Sequence, residues 1–468
     1  MITRRRVLAW TAAVAAGANA ARSLGAGNPD QALKDRIFYR SDARYEPLRL
    51  ASTWNARKPD RFPEAIVLPE NDAEVIAAVR LAAARGWQVG SCSGRHSWNA
   101  THIRDHALLI NLARLKELSV DPRRRLATVS PAWQQQAFNK ILRERYGLNF
   151  PAAHCVGVGL GGFVLCGGHG WNVQMFGLGC ENLQALDVVT ADGELIHVDE
   201  EHHSDYLWAA RGAGPGFFGV VLRMYLRVHP LPSQVVSLSY VYPAEVIDEL
   251  IAWVDRTSFP DYTEWTLMRC NYQGKPAYRI RAGAFCDSAR QAKMAVALFD
   301  SCPVLARAVL RQITVPAILP GDAETPHELS PTGARYFVDG AWVNGSAAEV
   351  YALVREELAN PVPTQLSRVQ LSGWRVAERK PRNMAYSLTA RAYVAPTAIS
   401  YDPSDDARCA AWAKRIVDVL KPIKVGAQLN DDNMPVNNGP YLSAQAAARL
   451  ETLRAKHDPE RRFVSYLS

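Results

Sequence analysis

After its first two dozen residues this 468-residue chain lacks any apolar run long enough to span a bilayer, which excludes a later membrane-spanning helix. It also lacks a Lys/Arg-rich run. The formal charge of +8 falls by three, to +5, without residues 1–20, which carry Arg4, Arg5 and Arg6 and no acid, and the remaining bases are interleaved with acids. Such a surface does not track phosphates, so no nucleic-acid partner is expected. None of the eight cysteines (Cys92, Cys155, Cys166, Cys180, Cys270, Cys286, Cys302, Cys409) has the close spacing of a disulfide scaffold or a zinc site, and no metal is expected. No internal repeat and no low-complexity tract follows the N-terminus. With 48% apolar and 21% charged residues the balance is globular, and the length suits two cores.

Thr3-Arg4-Arg5-Arg6 precedes a short Ala/Val-rich stretch and the small-residue sites Ala18-Asn19-Ala20 and Leu24-Gly25-Ala26. This is the form of a signal peptide over 1–26, and its adjacent arginines resemble the twin-arginine type that exports folded proteins. A periplasmic or secreted protein is expected, with no membrane span once the leader is removed.

Residues 64–91 read as strand, helix, strand, with Asn71 and Glu74 as a capping box and Gly86 as the stop. Strands follow near 108–112 and 126–129, a helix near 133–145, and a hairpin over 186–198 through Ala191-Asp192-Gly193. After His229-Pro230 the pattern changes. Strands at 235–242, 262–272 and 277–286 alternate with helices at 244–256 and 288–300, which predicts an antiparallel sheet with helices on one face. A last helix, 445–457, ends at Asp458-Pro459.

Gly157-Val158-Gly159-Leu160-Gly161-Gly162 formally matches G-x-G-x-x-G, with Glu181 about twenty residues on. A Rossmann site also needs a strand before the glycines and a helix opening within them. Here Phe150-Pro151-Ala152-Ala153-His154-Cys155 makes a poor strand, and only Phe163 to Cys166 intervene before Gly167-Gly168-His169-Gly170, so no useful helix is expected. What remains is a glycine-lined backbone cradle whose N–H groups can approach a diphosphate. His96 and Cys155 flank it, and imidazole and thiolate are the side chains suited to covalent attachment of an electrophilic cofactor.

Together these segments resemble the berberine-bridge-enzyme-like branch of the vanillyl-alcohol-oxidase flavoproteins. The likeness runs over most of 52–230. It takes in Trp54-Asn55-Ala56-Arg57, Ser93-Gly94-Arg95-His96-Ser97, the 150–171 segment, Gly177 to Leu183, Asp187 to Gly193, Leu207 to Gly212 and the strand Gly219-Val220-Val221. The resemblance implies an α+β protein. A two-subdomain PCMH-type FAD-binding domain would occupy 28–230 and a substrate domain with a helix-covered antiparallel sheet 231–425, and the segment 426–468 would return to the FAD domain. It further implies FAD held bicovalently, His96 on the 8α-methyl and Cys155 on C6. Ser93, Gly94, Arg95, Ser97, Gly159, Gly161, Gly162, Gly167, Gly168, Gly170 and Val220 would stand around the cofactor. Arg95 replaces the usual second glycine before the histidine, and Cys166 stands where the family has glycine.

The family's C-terminal Tyr-x-Asn-Tyr-like segment is represented only by Val436-Asn437-Asn438-Gly439-Pro440-Tyr441, followed by Lys456-His457-Asp458-Pro459. Candidate catalytic residues are Asn437, Tyr441, Tyr386 and Tyr393, the last two read as strand positions on either side of Arg391. Arg391 is the expected cationic neighbour, because a tyrosine base needs one to titrate below 10. The leading expectation is oxidation of an alcohol or hemiacetal, with a mono- or oligosaccharide as substrate. Proton abstraction and hydride transfer to flavin N5 would form the product, and oxygen or another acceptor would take the electrons. Trp253, Trp265, Trp342 and Trp374 are the candidate sugar platforms. Alternatives are an oxidase of an alkaloid, phenol or terpenoid, a dehydrogenase using a quinone or cytochrome, and a flavin-binding protein without turnover.

Overall fold

The computed structural model describes residues 29–155, 157–315, 331–373, 383–388, 390–429, 433 and 439–467. The leader-like segment 1–26, Trp374 and Asn437 lie outside them. No helix among the described residues is long and apolar enough to cross a membrane.

Two sheets share a first core. Strands β1 (Ile37–Tyr39), β2 (Ala65–Val67), β3 (Gln88–Cys92) and β4 (Ala107–Asn111) run in the order β1-β2-β4-β3, with β4 parallel to β2 and β3. Helix α1 (Asp72–Arg85) crosses between β2 and β3. The Asn71 side chain accepts from the Glu74 N–H at 3.0 Å, and Gly86 closes the helix at φ +67°. The Glu74 carboxylate accepts from the Glu70 N–H at 2.7 Å rather than from Asn71, so only half of the expected capping box forms.

The second sheet is antiparallel: β5 (Leu118–Asp121), β6 (Leu126–Val129), β8 (Leu183–Val189), β9 (Leu195–Val198) and β10 (Val220–Arg227), in the order β5-β6-β10-β8-β9. Helix α2 (Gln135–Tyr146) leads into the two-residue strand β7 (Leu148–Asn149), which pairs with β11 (His229–Pro230). The glycine stretch corrects one expectation. It opens a six-residue helix, α3 (Leu160–Leu165), because Gly159 turns the chain out of extended backbone and Gly161 and Gly162 tolerate the helical conformation.

The second core lies under a nine-stranded, wholly antiparallel sheet. Its strands are β12 (Gln234–Pro243), β13 (Thr263–Tyr272), β14 (Lys275–Cys286), β15 (Leu310–Thr314), β16 (Arg335–Val338), β17 (Ala341–Val343), β18 (Arg368–Gly373), β19 (Ala392–Ser400) and β20 (Lys424–Gly426). They run β15-β12-β14-β13-β18-β19-β17-β20, with β16 also on β19. Helices α4 (Ile247–Arg256), α5 (Ala289–Asp300), α6 (Ala347–Ala359) and α7 (Asp406–Val419) contribute to the core on one face. Strand alternation decides which residues meet them. Val236, Leu238, Tyr240 and Tyr242 of β12 and Tyr278, Ile280 and Ala282 of β14 enter that core. Burial of each large apolar side chain contributes about 1.5–3 kcal/mol. The other register of each strand faces the first unit. Contact between the units is made by Trp171 and Phe176 against Val235 and Phe285, and by Val173 and Leu178 in a cluster with Trp342 and Tyr393.

The chain end returns to the first core. Leu450 and Leu453 of α8 (Ala444–His457) pack there with Phe463, which bridges Val89 of β3. Asp458, the helix stop read from sequence, is fully buried and accepts from the N–H groups of Arg462 (2.6 Å) and Phe463 (3.1 Å). Arg454 donates to Gly216 O at 2.9 Å and Phe463 O at 2.8 Å.

Candidate functional site

A large cavity lies between the first unit and the open face of the nine-stranded sheet. One wall is the loop after β3, with Ser93, Gly94, Arg95, His96 and Ser97. Facing it are Cys155, Gly159, Gly161, Gly162 and Gly168. The two loops touch backbone to backbone: a Cβ on Gly159 would stand 2.5 Å from Gly94 Cα, and one on Gly161 would stand 2.6 Å from Ser93 Oγ. Only glycine permits that approach. Gly162 is different. A Cβ there would meet nothing within 4 Å, so its bare backbone opens onto free space.

The His96 ring stacks on Trp54 (4.9 Å between centroids, 17° between planes) and meets Trp98 edge-on at 5.6 Å. Arg95 adopts φ +60°, a conformation glycine takes without strain, and its Nη1 donates to Ala51 O at 3.2 Å. Cys155 is half-buried and is not part of a disulfide. Two more thiols line the cavity: Cys92 is buried, and Cys166 is buried beside Leu429 and Gly214.

Several expected site residues are elsewhere. A Cβ on Gly170 would stand 2.6 Å from Ala152 O and one on Gly167 2.8 Å from the Tyr386 ring, so these two glycines serve close packing away from the cavity wall. Val220 is fully buried in the first core, and its neighbours Gly219 and Val221 form the wall instead. Tyr386 belongs to no strand. Its N–H donates to Arg211 O at 2.8 Å, and its ring is buried against His169, with burial holding its hydroxyl well above the usual tyrosine range. Tyr441 stacks on Tyr466 at 5.6 Å outside the cavity, and Arg391 is exposed. Of the candidate bases among the described residues, Tyr393 on β19 reaches the wall. The tryptophan platforms do not form either. Trp253 and Trp265 pack in the helix-side core, and Trp342 is buried between Tyr393 (4.5 Å) and His169 (4.6 Å).

Other residues on the wall had not been singled out: His102, His154, His169, Arg368 and Gln370. Burial, and then the neighbouring His154, pulls His169 down to about 3, so it is neutral at ordinary pH. His154 Nε2 donates to the Glu264 carboxylate. A signal was present in the sequence, since His154 adjoins Cys155, His169 sits between glycines, and Arg368, Gln370 and Ser372 alternate as polar residues along β18.

The donor set fits a flavin dinucleotide. The glycine backbones leave room for a diphosphate, Leu112, Phe217 and Val221 supply apolar surface for a ring system, and two nucleophilic side chains line the same cavity.

Known proteins agree with this arrangement. Residues 63–199 match the family model described as an FAD binding domain. The FAD-linked oxidoreductase nodO of Hypoxylon pulicicidum is 30% identical over 430 residues, 90% of this chain and 94% of its own. A xylooligosaccharide oxidase of Thermothelomyces thermophilus is 33% identical over 195 residues, 41% of this chain and 39% of its own. The structure of BBE-like 1 of Physcomitrella patens superposes with a TM-score of 0.80 at 18% identity, covering 94% of this chain and 98% of that one.

Proposed function

We propose that this chain, which belongs to the FAD-linked oxidoreductases and has the fold of a BBE-like protein, bonds FAD through both His96 and Cys155 and oxidises an alcohol or hemiacetal carbon of a mono- or oligosaccharide, oxygen being reduced to hydrogen peroxide. The observation that carries this reading is that an imidazole and a thiol, far apart in sequence, line the same cavity from facing walls, beside a glycine backbone open to it. Arg281 and Arg368 act electrostatically with Cys155, and positive charge beside a thiol favours its nucleophilic thiolate. The stack on Trp54 fixes the His96 ring plane.

Tyr393 is the general base of this proposal, taking the proton of the substrate hydroxyl. Bound FAD would supply the hydride acceptor for the carbinol carbon and the route by which both electrons reach oxygen. The sugar assignment draws on the partial likeness to the xylooligosaccharide oxidase. The twin-arginine-like leader supports a periplasmic or secreted enzyme that is loaded with cofactor before export.

The test is an anaerobic panel of sugars, alcohols and phenols followed by bleaching of the flavin spectrum, with peroxide measured after air is admitted. Bleaching by a saccharide and stoichiometric peroxide are expected. Bleaching by phenols alone, or electrons that pass to a quinone and not to oxygen, would replace the substrate or the acceptor in this reading.

A further inference from the structure

The open face of the nine-stranded sheet carries three neighbouring arginines, two of which, Arg281 and Arg368, act electrostatically with Cys155. Pairing places Arg279 of β14 across Met268 of β13 from Gln370 of β18, and Arg281 across Thr266 from Ser372. Gln370 lines the cavity, as does Arg368 two residues earlier on the same strand. The charged groups acting most strongly on Arg281 are Arg279 and Arg368, and burial together with these two holds it down at about 10. Arg368 is likewise pushed down by burial.

What the cluster lacks, among the described residues, is an acid. Among the described residues none of the three is ion-paired to an Asp or Glu. Arg368 Nη1 and Arg279 Nε are buried without a hydrogen-bond partner. Among the described residues Arg279 lies by the Tyr272 ring, 5.8 Å from its guanidinium, and acts electrostatically on the Cys270 thiol. Glu264, on the same face of β13, is committed to His154 and to the Asn172 N–H. Three neighbouring cations that are poorly solvated and unpaired are unfavourable unless an anion joins them.

We propose that the substrate carries a carboxylate and that Arg279, Arg281 and Arg368 seat it. This rests on the flavin reading above in one respect: a Cys155 that has become a thioether offers no negative charge to the cluster. The glycine cradle, where the diphosphate belongs, is on the first unit, so the cofactor's own anion does not account for arginines on the sheet. A planar carboxylate matches the paired donors of a guanidinium. The substrate class narrows to a hydroxy acid, of which a uronic acid saccharide is the case closest to the proposed activity.

The experiment reads binding, not turnover. Flavin-loaded enzyme is titrated at fixed ionic strength with sodium D-glucuronate against D-glucose, and with benzoate against benzyl alcohol, following flavin absorbance and Tm. A saturable change with either carboxylate, at least tenfold weaker with its neutral counterpart, is expected. Arg281→Gln should weaken it at least tenfold, and Arg281→Lys should restore part of it. Where Arg368→Gln fails to load flavin, Arg279→Gln and Arg281→Gln are read on their loaded fraction. Equal response to the neutral compounds, no response to either carboxylate, the same response to sodium chloride alone, or an Arg281→Gln enzyme that binds like the parent would each overturn the proposal. Failure of the flavin reading looks different: acid would release the cofactor from the unsubstituted enzyme, or no alcohol would bleach it.

Discussion

Glu264 ties together the two ends of the segment that carries Cys155 and the glycines, accepting from His154 Nε2 on one side and from the Asn172 N–H, at 2.6 Å, on the other. The carboxylate stands near the start of β13 and is 8% exposed, so a strand of the second unit sets the position of the loop that lines the first. Glu264→Gln leaves one acceptor for two donors and turns an amide NH2 towards one of them. A loss of about 2–4 kcal/mol in unfolding free energy is expected, together with a smaller fraction of Cys155 bonded to flavin while His96 stays bonded. Denaturant unfolding and mass spectrometry of the flavin peptides check both. A variant with the parent's midpoint and a fully flavinylated Cys155 peptide would show that the clamp has no such role.

Covalent attachment has its own test. His96→Ala and Cys155→Ala should each keep yellow colour in the acid-precipitated protein, and the double variant should release all of it to the supernatant. Colour retained by the double variant would assign the bond to another nucleophile, with Cys166 and Cys92, the further thiols lining the cavity, as the first to replace.

Glycines of the same segment divide by what a methyl group would meet. Gly170→Ala would drive Cβ to 2.6 Å from Ala152 O and 2.7 Å from Pro151 O, and should cost roughly 2–4 kcal/mol of stability with or without flavin. Gly162→Ala meets nothing within 4 Å and lies in α3, where alanine is favoured by up to about 1 kcal/mol. Its methyl instead enters the cavity. The apoprotein should melt no lower than the parent while flavin occupancy falls, a separation read by Tm and by the ratio of flavin to protein absorbance.

The same contrast shows what the residues alone could reveal. Local chemistry was legible: the Asn71 cap, the Gly86 stop, the β8–β9 turn and the long alternating strands β12 to β14 all follow from nearest neighbours. The helix at 160–165 was not, because six residues rich in glycine have little helical preference of their own and depend on the loop packed against them. Tyr386 looked like a strand position from its spacing to Tyr393, yet the 383–388 segment gives its N–H groups to the carbonyls of Trp208 and Arg211. Arg279 and Arg281 alternate like a solvent face, and only the register with β13 and β18 places them on the face that carries Gln370 and Ser372. Polar alternation on a strand states that one face is not core; it does not state whether water or a ligand covers it.

The candidate bases can be ranked by substitution. Tyr393→Phe removes the hydroxyl of a tyrosine that lines the cavity and should lower kcat by roughly 10²–10⁴ with little change in flavin content. Tyr386→Phe and Tyr441→Phe alter hydroxyls outside the cavity and should stay within about threefold of the parent, since neither touches a reacting atom. A Tyr393→Phe enzyme with unchanged kcat would shift the role to His154 or His169 on the same wall.

Stability should also report the buried histidine at the edge of the cavity. His102 donates from Nε2 to Ser52 O at 2.8 Å, and burial pulls it down to about 4 from an ordinary value near 6.5. The folded protein therefore keeps it neutral while the unfolded chain protonates it as pH falls below about 6.5. Stability from this group is complete above that pH and is lost as pH drops through about 4. The loss reaches roughly 3 kcal/mol, with a slope of about 1.4 kcal/mol per pH unit for one proton. His229 and His169 are displaced in the same direction and steepen the acid limb further. His102→Gln retains a donor for Ser52 O and removes the titration. Its unfolding free energy should lie closer to the parent's at pH 4.5 than at pH 7.5, and a constant gap across that range would mean that His102 is protonated in the folded state.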